Sequence, residues 1–330
     1  MSQVGELRLR MYVTLFLVFA IGFAVLAFLL SLFGFSAIDI LVFAIFFFVL
    51  QWYVSPALLK HVAKLKYVSK SEEPKLYEMV ERLVQQANVP MPRIAISPSS
   101  EPNAFVFGRT RKSATLVVHK GLLNLANENE LYAVLAHETG HLKHNDVVVM
   151  TFASFVPVIA YYLAISFLFG GFSSRGRNSG GYTALVGIFS FVIYFVSELL
   201  MYGLSRTREA YADAYSAQAT GKPEHLASAL AKITYSLSGT KPSSSSVARS
   251  FYIADNLTAG KDLKGIEQYM SEIKKAFPEL NLAAFRNVAK RETDPLSFFG
   301  SLFMTHPPTY KRILMLARIK NEQNKNGESK

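Results

Sequence analysis

Four long apolar segments constrain this chain more than any other feature. Residues 11–33 and 147–170 contain no charged side chain, 35–54 contain only Asp39, and 182–204 contain only Glu198. Each is long enough to cross a hydrocarbon core, which takes about 20 helical residues. A helix in a soluble core is seldom apolar all round for so long. The expectation is four transmembrane helices in two hairpins, 1–54 and 147–204; buried core hairpins are the competing reading. A mean hydropathy of +0.22 agrees with membrane insertion. The first segment does not read as a cleaved signal. It is too long for an apolar signal core, lacks a small-residue cleavage site, and a second span follows at once.

The formal net charge of +11 fits membrane orientation better than nucleic-acid binding, for which there is no recognition motif. Arg8 and Arg10 precede the first segment, and Lys60, Lys64, Lys66 and Lys70 follow the second. Lys143 precedes the third, and Arg206 and Arg208 follow the fourth; Arg175 and Arg177, between the third and fourth, are a modest counter-signal. The positive-inside rule then puts both termini and the blocks 55–146 and 205–330 in the cytoplasm.

Between the apolar segments the sequence reads as mostly α in an α+β fold. A basic amphipathic stretch, 55–70, suits either lipid headgroups or a plain linker. Residues 74–87 place Leu76, Met79, Val80 and Leu83 on one helical face. Short strands are expected from 89 to 123 around a Gly-Arg turn, and a helix over 129–144. Helices follow over 205–220 and 224–237, then a Ser-rich polar stretch, 238–250.

The helix expected over 129–144 carries H-E-x-x-H as His137, Glu138 and His141. Residues four apart share a helical face, so the two histidines can grip one metal ion while Glu138 acts on metal-activated water. The chain has no cysteine, so further metal ligands must be His, Asp or Glu. In S-R-T-R-E-A-Y-A-D, Glu209 and Asp213 also lie four apart: one suits the metal, the other a supporting bond to a ligand histidine. A solvated helix with local ion pairs would explain the same stretch. His144, three residues after His141, is a weaker ligand candidate.

H-E-T-G-H followed by S-R-T-R-E-x-x-A-D, with an apolar hairpin between them, resembles the HtpX family of membrane zinc metalloproteases, gluzincin-type enzymes related to CAAX-processing endoproteases. P-N-A-F-V-F-G (102–108) and T-H-P-P-T-Y-K-R (305–312) resemble two further family segments. The resemblance implies one zinc ion per chain, held by His137, His141 and Glu209, with Glu138 as general base. It implies that Asp213 supports a zinc-bound histidine and that His306 stabilises the oxyanion. Asn103 and Arg312 fall at substrate-binding positions. The implied role is proteolytic quality control of misfolded or damaged membrane proteins, in the cell membrane of a prokaryotic-type cell.

The third apolar segment begins six residues after His141, about 9 Å along a helix at roughly 1.5 Å per residue. Glu209 follows the fourth by five residues, about 7–8 Å on the same scale. Both ligand segments are therefore expected at the cytoplasmic membrane face. A CAAX-type processing enzyme and a non-catalytic scaffold or holdase are the rival readings. The first would need more helices around a chamber, and the second would tolerate loss of Glu138, which is present. Substrate identity and homo-oligomerisation are not legible, and Glu198 and Asp39 read as interfacial carboxylates.

Overall fold

The computed structural model describes residues 63–153, 180–238, 253–254, 259–280 and 306–328, with isolated helical positions between 46 and 60 and between 157 and 164. The expected segment 11–33, most of 35–54, much of 154–170 and the stretch 239–250 lie outside the described residues. The chain divides into two compact units. One comprises Met1–Ser55, Val148–Thr207 and Phe299–Thr305; the other comprises Pro56–Val147, Arg208–Phe298 and His306–Lys330.

The second unit is helical around a small sheet. In chain order it holds β1 (Lys66–Tyr67), α1 (Pro74–Ala87), β2 (Arg93–Ser97), β3 (Ala104–Phe107), β4 (Thr115–His119), α2 (Lys120–Leu125) and α3 (Glu128–Lys143). Then come α4 (Asp146–Ala153) and α5 (Gly180–Thr220), each running across the division between units, and α6 (Pro223–Ser238), α7 (Ala259–Gln268), α8 (Met270–Ala276) and α9 (Thr309–Glu328). Helix α1 spans the residues expected from its periodicity. Pro74 opens it, where a missing N–H costs nothing. Leu76, Val80, Leu83 and Val84 are its buried stripe, and Asn88, left-handed at φ 54°, closes it.

The sheet order is β1-β2-β4-β3. Strands β2 and β4 pair in parallel, while β3 pairs antiparallel to β4 and forms an edge. Every residue of β3 and β4 is buried, as expected of a sheet covered on both faces. One apolar cluster joins Leu83 of α1, Ile94 of β2, Leu116 of β4, Val134 and Leu135 of α3, Leu230 and Ile233 of α6, and Ile313 of α9.

In the first unit, the sequence suggested a fresh helix starting at 205. The structure instead runs one helix, α5, from Gly180 to Thr220, because nothing between 200 and 210 breaks it: Gly203 lies in open space. Among the described residues, one stretch, Leu185–Thr220, is long and apolar enough to cross a membrane by length and composition.

Candidate metal centre

Helix α3 begins with a capping box. The Asn127 side chain accepts from the Glu130 N–H at 2.9 Å, and the Glu130 carboxylate accepts from the Asn127 N–H at 2.9 Å. Such boxes satisfy two donors that a helix start leaves free. Glu130 also accepts from Ser228 (2.6 Å) and Lys232 (2.8 Å) of α6, which fixes the helix against its neighbour. From Ala133 to Leu142 every α3 residue is buried, including the H-E-x-x-H groups. Gly140 makes this burial possible. A Cβ there would sit 3.1 Å from the Tyr215 ring and 3.2 Å from the Ala212 Cα, so the glycine is where α3 and α5 cross closely.

This crossing brings Glu209 to the histidines. His137 Nε2 and His141 Nε2 are 3.2 Å apart. Glu209 places Oε2 3.4 Å from the first and Oε1 3.4 Å from the second. Four ligands held tetrahedrally at about 2.0–2.1 Å stand about 3.3 Å apart, so these edges fit a zinc-sized ion. Each outer nitrogen has a carboxylate beside it, hydrogen-bonded at His141 and within ion-pair distance at His137. His137 Nδ1 lies 2.9 Å from Asp213 Oδ1, and His141 Nδ1 lies 2.6 Å from Asp146 Oδ2. A proton on each Nδ1 leaves both Nε2 lone pairs converging with the Glu209 carboxylate. Such convergence is favourable only around a positive charge, a metal ion or a further proton on an imidazole.

Each supporting carboxylate has its own guanidinium. Arg312 donates to Asp213 at 2.8 and 2.6 Å. Arg208 Nε lies 3.2 Å from Asp146 Oδ1. Four buried carboxylates (Glu138, Asp146, Glu209, Asp213) thus face two guanidinium groups, and the two surplus negative charges match one divalent cation. His137, Glu138 and His141 also offer ligand atoms within 4.8 Å of one another. The donor set fits a metal.

The electrostatics separate the carboxylates by role. Burial pushes the Glu138 carboxyl up; Glu209 adds to this, while His141, His137 and Arg312 oppose it. A raised carboxyl is the better proton acceptor. Burial also disfavours the Glu209 charge, but His306, His137 and His141 outweigh it and hold that carboxyl well below the usual range. Burial opposes charge on Asp146 and Asp213 too, and Arg208 and Arg312 respectively override it. In the metal-free chain burial acts against charge on His141, yet hydrogen bonds to Asp146 and Glu209 push its pKa up to about 10.

The structure gathers His137, Glu138, His141, Glu209, Asp213, His306 and Arg312 in one place. His306 Nδ1 is 3.5 Å from Glu209 Oε1, and neither ring nitrogen makes a hydrogen bond. Arg312, implied to contact substrate, is buried and committed to Asp213. Asn103 is buried beside the start of edge strand β3, with its carbonyl oxygen accepting from the His119 N–H. His144 faces elsewhere: it caps α3, and its ring centroid is 3.7 Å from that of Tyr211. Sequence reasoning missed Asp146 and Arg208. Asn145 turns the chain at φ 59° between α3 and α4 and returns the Asp146 carboxylate to His141. Arg208 read as a topology signal or a local ion pair.

The sequence profile described as Peptidase family M48 matches residues 70–320. The chain belongs to that family. Membership makes it a metalloprotease, a hydrolase of peptide bonds. Its relatives among M48 proteins include a "Protease HtpX homolog" of Methanothermobacter thermautotrophicus, 40% identical over 236 residues, covering 71% of this chain and 88% of the relative. A "Protease HtpX homolog 2" of Methanosarcina acetivorans is 35% identical over 314 residues and covers 95% of both. One from Moorella thermoacetica is 34% identical over 319 residues, covering 96% and 95%. These place the chain with the HtpX-type M48 membrane metalloproteases. The crystal structure of S. mikatae Ste24p is similar at TM-score 0.49 and 21% identity, over 96% of this chain and 66% of that one.

Proposed function

We propose that this M48 protein is an integral-membrane zinc endopeptidase that cleaves misfolded or damaged membrane proteins at the cytoplasmic face. The observation carrying this reading is the triangle of two Nε2 atoms and one carboxylate, with edges of 3.2 to 3.4 Å, beside the buried Glu138 carboxyl. His137, His141 and Glu209 hold the zinc. When bound, zinc polarises the scissile carbonyl and lowers the pKa of water from 15.7 to about 7. Glu138, its carboxyl pushed up by burial, takes a proton from the attacking water and delivers it to the leaving amine. His306 donates a ring N–H to the developing oxyanion, a contribution of about 3 kcal/mol for a well-aimed donor. Asp213 with Arg312, and Asp146 with Arg208, fix the tautomer and tilt of the two histidines.

The catalytic domain is assigned to blocks 55–146 and 205–330, carried on four membrane helices. Support comes from α5, which bears Glu209 on the same continuous helix as an apolar stretch. Leu185, Ile188, Phe191 and Val192 are exposed along that stretch, a pattern suited to lipid. A site carried so near the bilayer favours membrane-protein clients over soluble chains.

The test is a comparison of substrates after metal exchange. Purified protein is stripped with chelator and reloaded with zinc in liposomes. It is then offered a destabilised membrane protein and an unfolded soluble protein at equal concentration. Zinc-dependent cleavage that favours the membrane client is expected. Equal rates would remove the client assignment, and cleavage that survives full chelation would remove the zinc mechanism.

A further inference from the structure

The turn joining β3 to β4 is basic and tightly built. Gly108 opens it. A Cβ there would meet the Ala114 Cα at 2.8 Å and the Ser113 carbonyl oxygen at 2.9 Å, so only a glycine lets the chain fold so closely. A single 3₁₀ turn, Arg111–Ser113, follows. The Ser113 N–H donates to the Thr110 carbonyl oxygen, and the Thr110 N–H to the Ser113 hydroxyl, each at 3.1 Å. From this turn Arg111 Nη2 donates at 2.6 Å to the carbonyl oxygen of Lys143, the last residue of α3. Lys143 holds its ammonium 4.6 Å from the centre of the Tyr215 ring. Lys112 is exposed, and Arg111 and Lys143 are half-buried. Among the described residues none of these three cations has a carboxylate at ion-pair distance. Lys70, Lys75, Lys232 and Lys320, elsewhere in the same unit, each do. An arginine carries five N–H donors and a lysine three, and the one bond to the Lys143 carbonyl uses few of them. The negative end of α3 favours a cation beside it. It does not account for three of them, one on an exposed turn.

We propose that Arg111, Lys112 and Lys143 form a binding site for the headgroup phosphate of an anionic membrane phospholipid. The inference rests on the membrane, cytoplasmic-face reading above and adds a ligand to it. Position along the chain selects the ligand: Lys143 stands four residues before the apolar segment 147–170, and α4, which leads into that segment, starts at Asp146. Charges carried so close to a bilayer meet the negative surface of the cytoplasmic leaflet within a Debye length. A phosphodiester supplies the acceptor oxygens that guanidinium and ammonium donors lack here, whereas the choline of a zwitterionic lipid would bring a further cation to the cluster. A topology signal counts charges without geometry. Here the bond from Arg111 to the end of α3 fixes where two of the three cations stand.

The test uses zinc-loaded, full-length protein in non-ionic detergent, with Glu138→Gln to prevent self-cleavage. It is offered equimolar phosphatidylglycerol and phosphatidylcholine, and native mass spectrometry reads the lipid retained. The parent should retain phosphatidylglycerol selectively. Each Lys or Arg near an anionic surface strengthens binding about fivefold, so Lys112→Gln with Lys143→Gln should reduce that retention about tenfold or more. The exposed pair Lys274→Gln with Lys275→Gln changes net charge equally and should reduce it little. Arg111→Gln, whose amide can still donate to the Lys143 carbonyl, should also lose lipid, and thermal unfolding checks that each chain is folded. Equal loss from both double variants would make the effect one of net charge and overturn the site. Equal retention of the two lipids by the parent would do the same. Displacement by millimolar inorganic phosphate would make this a free-phosphate site and overturn the lipid assignment. A chain that alkaline washing strips from membranes would remove the membrane reading itself, a failure distinct from loss of lipid selectivity.

Discussion

Gly140 offers a perturbation whose effects on stability and on metal binding should part company. In Gly140→Ala the new methyl meets the Tyr215 ring at 3.1 Å, the Ala212 Cα at 3.2 Å and the Tyr215 Cβ at 3.3 Å. Comfortable carbon contacts lie at about 3.5–4.0 Å. Since Ala212 contributes backbone, α3 and α5 must move apart by roughly half an ångström, on that contact scale. Overpacking of this kind costs about 1–3 kcal/mol, whereas alanine in place of glycine inside a helix returns about 1 kcal/mol. The metal-free chain should therefore lose no more than about 2 kcal/mol, the difference between those two effects. The metal centre has no such compensation. Glu209 rides on α5 and the histidines ride on α3, so the separation lengthens two of the three ligand edges, now 3.4 Å each. Zinc affinity should fall about tenfold or more, the scale at which losing a ligand's support is felt. Zinc affinity is read by competition with a fluorescent chelator, and stability by thermal unfolding of the metal-free protein. Undiminished zinc affinity, or a large loss of metal-free stability, would refute the reasoning that this glycine exists to bring Glu209 within reach.

Other outcomes follow from the same geometry. Asp146→Asn should weaken zinc binding about 10–100-fold, because the 2.6 Å bond to His141 Nδ1 loses its charge; unchanged affinity in chelator competition would count against the Asp146–Arg208 pair as a positioning device. Glu130→Ala should cost about 2 kcal/mol in unfolding free energy, through the lost cap and the bonds to Ser228 and Lys232. In the folded chain burial opposes charge on Glu130, but Lys232 and Ser228 override it and hold the carboxyl below its usual value. Its contribution is thus full at neutral pH and lost as pH falls through that lowered value. The gap between wild type and variant should narrow in acid; a constant gap from pH 7 to pH 3 would refute it.

Much of the site was legible because the relevant spacing is local. His137 and His141, and again Glu209 and Asp213, sit four apart on helices, and helical periodicity puts each pair on one face. Whether the two faces meet is not local. That depends on the crossing at Gly140, which the letters H-E-T-G-H do not reveal without knowing what lies opposite. Asp146 was illegible for a different reason: it acts through the left-handed turn at Asn145, and turns carry no period to read. Arg208 carried a positive-inside signal that hid its pairing with Asp146. In the sheet, short strands were foreseeable from 89 to 123, but the parallel pairing of β2 with β4, and hence the edge position of β3, was not. Two five-residue strands with three-residue apolar centres, Ile94–Ile96 and Leu116–Val118, say nothing about which neighbour each will choose.

The central claim is that a metal held by His137, His141 and Glu209 works with Glu138 to hydrolyse peptide bonds. The most direct measurement pairs metal content with turnover in wild type and Glu138→Gln, both purified in detergent and assayed on unfolded casein. The account predicts one zinc per chain in both proteins, and chelator-sensitive cleavage by wild type alone. Equal cleavage by Glu138→Gln and wild type, or loss of zinc from the variant, would contradict it.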